Sequence, residues 1–194
     1  MAKTKINRTL TTEEIERELK RVKYNDRSKK TFKNTIYALL IVAAIAVLVA
    51  TLFLPVLQIY GSSMTPTLHD GQLIVSVKEK NFETGDIIAF YYNNKILVKR
   101  VIASEGDWVD IDEEGNVNVN GKRLHEPYVA NKSLGECNIA LPYQVSEGKI
   151  FVMGDHRSVS IDSRHTSVGC VTEEQIVGKL VMRVWPLDEI AILD

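Results

Sequence analysis

Between Asn34 and Leu68 the chain has no Asp, Glu, Lys, Arg or His, although charged residues make up 25% of the whole. A gap of that length excludes a solvated surface segment. Most of it is IYALLIVAAIAVLVATLFLPVL, residues 36–57, and a buried core helix seldom runs so far without a polar face. A hydrocarbon core of ~30 Å takes about 20 helical residues, so the run reads as a membrane span that Pro55 ends or kinks. Its length argues against a cleaved leader, whose apolar stretch is roughly 7–15 residues. Cysteine is scarce as well. Cys137 and Cys170 are the only two; their spacing fits no metal site, and an exported compartment permits a disulfide that spacing alone does not show. Internal repeats and low-complexity tracts are absent. No helical pattern of roughly 10–15 residues alternates with the strands, which argues against a parallel α/β sheet.

Charge is unevenly shared. Residues 1–33 carry 11 Lys/Arg against 5 Asp/Glu, whereas residues 34–194 carry 13 against 20. Lys23, Arg27, Lys29, Lys30 and Lys33 crowd the near side of the span, and on the far side the first Lys or Arg is Lys78. The positive-inside rule therefore keeps the N-terminus cytoplasmic and exports the residues beyond the span. Three parts are expected: a basic cytoplasmic arm (1–35), a transmembrane anchor (36–57) and an extracytoplasmic domain (58–194). In the arm, LTTEEIERELKRVK sets Thr11 and Glu14 for a capping box and Leu10 and Ile15 for a hydrophobic staple. Glu13–Arg17 and Glu16–Lys20 stand as i,i+4 pairs. Ile15, Leu19 and Val22 make only a narrow apolar stripe, which predicts a short helix, solvated or resting on anionic lipid headgroups.

The exported part reads as strands and turns. QLIVSVK (72–78), DIIAFYY (86–92), KILVKRVIAS (95–104), WVDID (108–112), NVNVN (116–120), KIFVMGD (149–155) and IVGKLVMRVWP (176–186) are β-rich and punctuated by Gly, Asn and Asp. Residues 112–116 and Asn120-Gly121 read as hairpin turns, and 127–147 as a long loop. The expected class is mainly β, with enough residues for one core.

YGSSMTPTLHDG (60–71) emerges just beyond the span. Gly61 and Pro66 shape an irregular, defined loop, and it offers Ser62 and Ser63 as nucleophiles. A serine hydroxyl needs a group to take its proton. His69, beside Asp70, invites a Ser-His-Asp reading; but TLHDGQ reads as an exposed turn, and such triads are built in space rather than in sequence. In KILVKRVIAS, strand alternation puts Lys99 on one face with Leu97 and Val101. Burial there disfavours the ammonium and lowers its pKa, which suits a lysine for general-base work. The third stretch, GDHRSVSIDSRH (154–165), concentrates polar residues beside the apolar KIFVM. Read as extended, it places Ser158, Ser160, Asp162 and Arg164 on one face. Ser160 would then hold Lys99 in place, and Asp162 would pair with Arg164. His156 and His165 with the two aspartates match no familiar metal set.

Taken in order behind an apolar anchor, SSMTPTL, VKRVIASEGD and GDHRSVSIDSR resemble the boxes of the bacterial type I signal peptidases, with coverage from about residue 36 to 186. The resemblance implies Ser63, directly before Met64, as the acylated nucleophile and Lys99, preceding Arg100, as its base. It implies Ser160 as the hydroxyl that orients the lysine, Asp162 and Arg164 as a supporting salt bridge, and Asp155 in a Gly-Asp turn. His156 stands where the family usually has Asn. Gly61 stands where some members have an oxyanion-binding serine, so that role passes to backbone N–H groups including that of Ser63. Also implied are a mainly β catalytic domain on one N-terminal transmembrane helix and a membrane-anchored serine endopeptidase. That enzyme removes signal peptides from exported preproteins at the outer face of the cytoplasmic membrane, pairing an extended Ala-x-Ala segment by strand addition. Signal peptides and the lipid bilayer are the implied partners, with the secretion translocon a further candidate; no cofactor, metal or nucleic acid is implied. An inactive membrane-anchored binding module has nothing in the sequence to favour it, since Ser63 and Lys99 are both present. Self-cleaving repressor-type Ser-Lys proteases act in the cytosol with DNA-binding segments, and an endoplasmic-reticulum-type enzyme would carry histidine at position 99.

Overall fold

The computed structural model describes residues 12–53 and 55–193. Two units divide the chain between Val49 and Ala50. Helix α1 (Thr12–Phe53) is a single run of 42 residues, where the sequence suggested a short arm helix and a separate span. It is continuous because residues 24–35 contain neither Pro nor Gly, so nothing there breaks the backbone ladder. The expected capping box and staple involve Leu10 and Thr11, which lie outside the described residues. Neither expected i,i+4 pair forms; Arg21 pairs instead with Glu18, at 3.2 Å. Among the described residues α1 holds the one stretch long and apolar enough to cross a membrane, with a mean hydropathy of 1.8 and no part of it buried against protein. Residues 36–53 rise roughly 27 Å at 1.5 Å per residue, close to the ~30 Å of a hydrocarbon core. Val56 and Leu57, the end of the apolar run, are strand rather than helix.

The second unit is mainly β. Its strands are β1 (Val56–Gln58), β2 (Leu73–Val77), β3 (Ile87–Tyr92), β4 (Lys95–Ala103), β5 (Trp108–Ile111), β6 (Val117–Val119), β7 (Lys122–Arg123), β8 (Tyr143–Gln144), β9 (Lys149–Met153), β10 (Val171–Thr172), β11 (Ile176–Trp185) and β12 (Ala191–Ile192). The larger sheet runs β1-β2-β11-β3-β4-β9-β10, with β12 on β11; the smaller runs β7-β6-β5-β8. All pairs are antiparallel. The Asn120-Gly121 turn joins β6 to β7 with φ of 52° and 74°, a pair of positive values that Asn and Gly tolerate best.

β3 shows why DIIAFYY has no polar alternation: both of its faces are covered. Ile87 and Ala89 pack with Ile74, Leu180 and Leu68, while Ile88 and Phe90 pack on the other face with Val101, Ile150 and Val152. β4 and β9 then join the sheets, since Ile102, Ala103, Phe151 and Met153 meet Val109, Ile111 and Val117 of the smaller one. Each buried Val, Leu, Ile, Phe or Met among them contributes roughly 1.5–3 kcal/mol. The fold therefore rests on this layer, not on the two-residue strands at its margins.

Candidate active site

The loop after β1 is pegged by its apolar residues. Ile59, Met64 and Leu68 are buried against Ile74, Ile87 and Leu180, so the residue just before Met64 has a fixed place. Leu68 N donates to Met64 O at 2.8 Å, Thr65 N donates to Ser62 O at 3.2 Å, and Gly71 N donates to Ile59 O at 2.9 Å. Ser62 faces solvent, whereas Ser63 is half-buried. His69 is exposed and its ring bonds neither serine.

β4 delivers Lys99 from the opposite side. Its Nζ lies 2.7 Å from Ser63 Oγ, and the residue is 3% exposed. Burial lowers its pKa from 10.5 to about 8; the Arg164 guanidinium adds to the lowering, while Asp162 and Asp155 oppose it. An amine so placed is half neutral near pH 8 and within reach of a hydroxyl proton.

The segment 154–165 folds as successive turns, not as the extended strand read from its alternation. Even so, Ser160, Asp162 and Arg164 are buried, whereas Ser158, read on the same face, is exposed along with Val159 and Ile161. Asp162 and Arg164 form a two-pronged pair, Nε–Oδ1 at 2.8 Å and Nη2–Oδ2 at 2.8 Å. Asp162 Oδ2 also accepts from Gly154 N at 2.9 Å. Ser160 departs from expectation. Its Oγ is buried without a hydrogen-bond partner and does not bond Lys99. The turns bring it instead against Gly154, where a Cβ would lie only 2.3 Å from it. Asp155 sits in the Gly-Asp turn and accepts from Arg100 Nε at 2.9 Å and Nη2 at 2.8 Å, with a further bond from the Thr67 hydroxyl. His156 N donates to Ser63 O at 3.1 Å, and its Nδ1 lies 3.0 Å from Thr65 Oγ1. The position that departs from the familiar Asn is thus tied to the serine loop twice.

Sequence reasoning passed over Arg100, Thr67, Glu126 and Arg157. Arg100 carried a signal, because an arginine inside an apolar strand requires a buried anion. The Glu126–Arg157 pair, both side chains fully buried, joins segments too far apart for any local pattern to reveal.

Ser63 and Lys99 line a groove of about 700 Å³ with Val56–Gly61 and Asn94–Val98. Both flanking strands offer a free edge there. Among the described residues β1 pairs only with β2, and residues 95–99 of β4 pair only with β3, since β9 joins at Arg100. Free N–H and C=O groups on two edges can receive an extended peptide. No cluster of His, Cys, Asp or Glu able to hold a metal occurs among the described residues. Cys137 and Cys170 are free thiols.

Residues 32–185 match the family described as Signal peptidase, peptidase S26. The chain is similar to Signal peptidase I of Bacillus amyloliquefaciens, 34% identical over 171 residues that cover 79% of this chain and 88% of that one. Signal peptidase IB of Staphylococcus aureus (strain COL) is 35% identical over 182 residues, 83% of this chain and 93% of that one. A crystal structure of a signal peptidase I from Enterococcus faecalis V583 aligns with a TM-score of 0.45 at 30% identity, covering 52% of this chain and 97% of that one.

Proposed function

Because the chain belongs to the signal peptidase family, peptidase S26, and is a serine endopeptidase that removes signal peptides from preproteins, we propose how it does so: Ser63 is the nucleophile and Lys99 its general base. The observation that carries this reading is the 2.7 Å between Lys99 Nζ and Ser63 Oγ inside a pocket that holds the lysine pKa at about 8.

The neutral amine takes the Ser63 proton as Oγ attacks the scissile carbonyl. The tetrahedral oxyanion needs donors aimed at it. Gly61 N is engaged by Asp70 Oδ1 at 2.7 Å, whereas Ser63 N donates no hydrogen bond within the described residues and is free for this role. Collapse breaks the C–N bond, and the Lys99 ammonium returns its proton to the leaving amine of the mature protein. Water then attacks the acyl-enzyme, with Lys99 accepting its proton, and Ser63 is regenerated. Asp155, Asp162 and Arg164 hold the surrounding turns, and Ser160 stands beside them.

The signal peptide lies extended in the groove and pairs with the edges of β1 and β4. The basic arm of residues 1–35 is cytoplasmic and α1 crosses the bilayer within residues 36–57. The β unit then works at the outer face, where the translocon delivers its substrate. The charge bias of 11 Lys/Arg against 5 Asp/Glu in residues 1–33 supports that orientation.

The test is incubation of detergent-solubilised chain with a preprotein and mapping of the cut by mass spectrometry. Ser63→Ala should abolish cleavage with the fold retained, and Ser62→Ala should keep most of it. Equal cutting by wild type and Ser63→Ala would sink the assignment.

A further inference from the structure

Glu126-Pro127-Tyr128 lies in the irregular stretch between β7 and β8, and the reaction sequence above makes no use of it. Its side chains nonetheless grip the two arginines that flank the turn beneath Ser63. Glu126 Oε1 accepts from Arg157 Nη2 at 2.5 Å, and Lys132 Nζ stands 3.5 Å from the other carboxylate oxygen. Arg157 Nε in turn donates to the Gly154 carbonyl at 3.0 Å. The Tyr128 ring centre lies 3.9 Å from the guanidinium carbon of Arg100, and Arg100 binds both oxygens of Asp155. One tripeptide thereby holds Gly154 through one arginine and Asp155 through the other.

The turn they hold meets the nucleophile's backbone through Gly154 and His156. A Cβ placed on Gly154 would lie 2.5 Å from the Ser63 carbonyl oxygen, and the next residue but one, His156, donates its N–H to that same oxygen. Buried ion pairs are poor sources of stability, since well-packed apolar residues in their place often serve as well. What the charged pair supplies is direction: a planar guanidinium held at one end presents its other N–H groups at fixed angles. The aromatic face over Arg100 does the same for the second arginine. Burial and the nearby Glu126 raise the Tyr128 pKa to about 12, so the ring stays a neutral phenol throughout the working pH range.

We propose that Glu126 and Tyr128 are positioning residues of the active site. Through Arg157 and Arg100 they set where the Gly154-Asp155-His156 turn holds the Ser63 carbonyl, and so the approach of Ser63 Oγ to Lys99 Nζ. The proposal rests on the Ser63–Lys99 reading above. Misplacement of a reacting group by about 1 Å costs on the order of a hundredfold in rate. The groove segments 56–61 and 94–98 are hydrogen-bonded to neither Glu126 nor Tyr128, so substrate binding should be spared.

The experiment compares kcat and KM of the full chain in detergent on one preprotein for wild type, Glu126→Gln, Tyr128→Leu, Tyr128→Phe and the Glu126→Gln/Tyr128→Leu double variant. Each rate is normalised to the folded fraction read by near-ultraviolet circular dichroism. Glu126→Gln and Tyr128→Leu should each lower kcat at least about tenfold while KM stays within about twofold. Tyr128→Phe keeps the ring face and should restore kcat. The double variant should lose less than the product of the single losses, because both act through one turn. If Glu126→Gln fails to fold, Tyr128→Leu, which removes no charge, decides alone. Normalised kcat near wild type in Tyr128→Leu, a rise in KM at constant kcat, or equal damage from Phe and Leu each overturns the proposal. A wild-type chain that leaves the preprotein uncut overturns the functional reading and this proposal with it, whereas a cutting wild type beside unimpaired variants overturns the proposal alone.

Discussion

Replacing Lys99 by Met should abolish cleavage and, at neutral pH, stabilise the fold. Burial takes the lysine pKa from 10.5 to about 8, a shift of about 2.5 units, or roughly 3.4 kcal/mol between the two protonation states. The unfolded chain keeps this proton up to about pH 10.5, while the folded chain releases it above about pH 8. Between those values the unfolded state binds more protons, so stability rises with pH. Below pH 8 both states are protonated, and the whole cost of burying the ammonium remains. Met has a similar length and no charge, so it removes that cost. It also loses the contact to Ser63 Oγ, worth about 1 kcal/mol. Relief of the charge wins, and the variant should gain about 2 kcal/mol at pH 7, a gain that falls to zero near about pH 10 and turns into a small loss above it. Denaturant unfolding of the full chain in detergent can follow it, because the only two tryptophans, Trp108 and Trp185, both lie in the β unit. A variant less stable than wild type at pH 7, or an advantage that does not shrink with rising pH, would refute the reasoning.

The same shift predicts the activity profile. With a pKa of about 8, the neutral fraction of Lys99 is about one tenth at pH 7 and about nine tenths at pH 9, so kcat/KM should rise about tenfold across that interval. An unshifted lysine would have a neutral fraction roughly 300-fold smaller at pH 7. Lys99→Arg should be inactive throughout, since guanidinium does not deprotonate in this range. A flat profile from pH 6 to 9 would remove Lys99 from the role of base.

Six of the seven legible strands run four residues or more, and three-residue β6 showed through the alternation of NVNVN around it. β1, β7, β8, β10 and β12 are two or three residues each, with no such alternation around them to register. The continuity of α1 was missed for a different reason. Residues 24–35 are polar but helix-competent, and hydropathy marks where a span lies without marking where its helix starts. In the site, three short segments offered Lys99 as a base and Asp162 with Arg164 as a pair, while the choice of Ser63 over Ser62 as the partner of Lys99 came from the family resemblance. The backbone between residues 154 and 165 could not, because its pattern is inverted: charged groups are buried while Val159 and Ile161 face solvent. Such an inversion is stable only when every buried charge finds a partner, and the partners of Asp155 and Arg157, which are Arg100 and Glu126, come from other parts of the chain. Ser160 shows the limit most plainly. Its burial was foreseeable from alternation, but the direction of its hydroxyl depends on turns that no local rule fixes.

Gly154→Ala should lower preprotein cleavage by about a hundredfold with circular dichroism retained, because its Cβ would meet Ser160 Oγ at 2.3 Å and Ser63 O at 2.5 Å. Asp162→Asn strands the fully buried Arg164 without its anion and should cost about 3–5 kcal/mol in denaturant unfolding; Asp162→Asn with Arg164→Met should recover part of that loss. The orientation can be tested on spheroplasts with protease added outside. The basic flank from Lys23 to Lys33 and the absence of Lys and Arg from Asn34 to Val77 both favour the proposed cytoplasmic placement of the N-terminal side. The protease should therefore reach the β unit, residues 56–193, and leave residues 12–33 intact until the membrane is permeabilised. Protection of the β unit with loss of the arm would reverse the topology. A Ser63 on the cytoplasmic side could not meet a signal peptide at the outer face, so that one result would also overturn where the cleavage takes place.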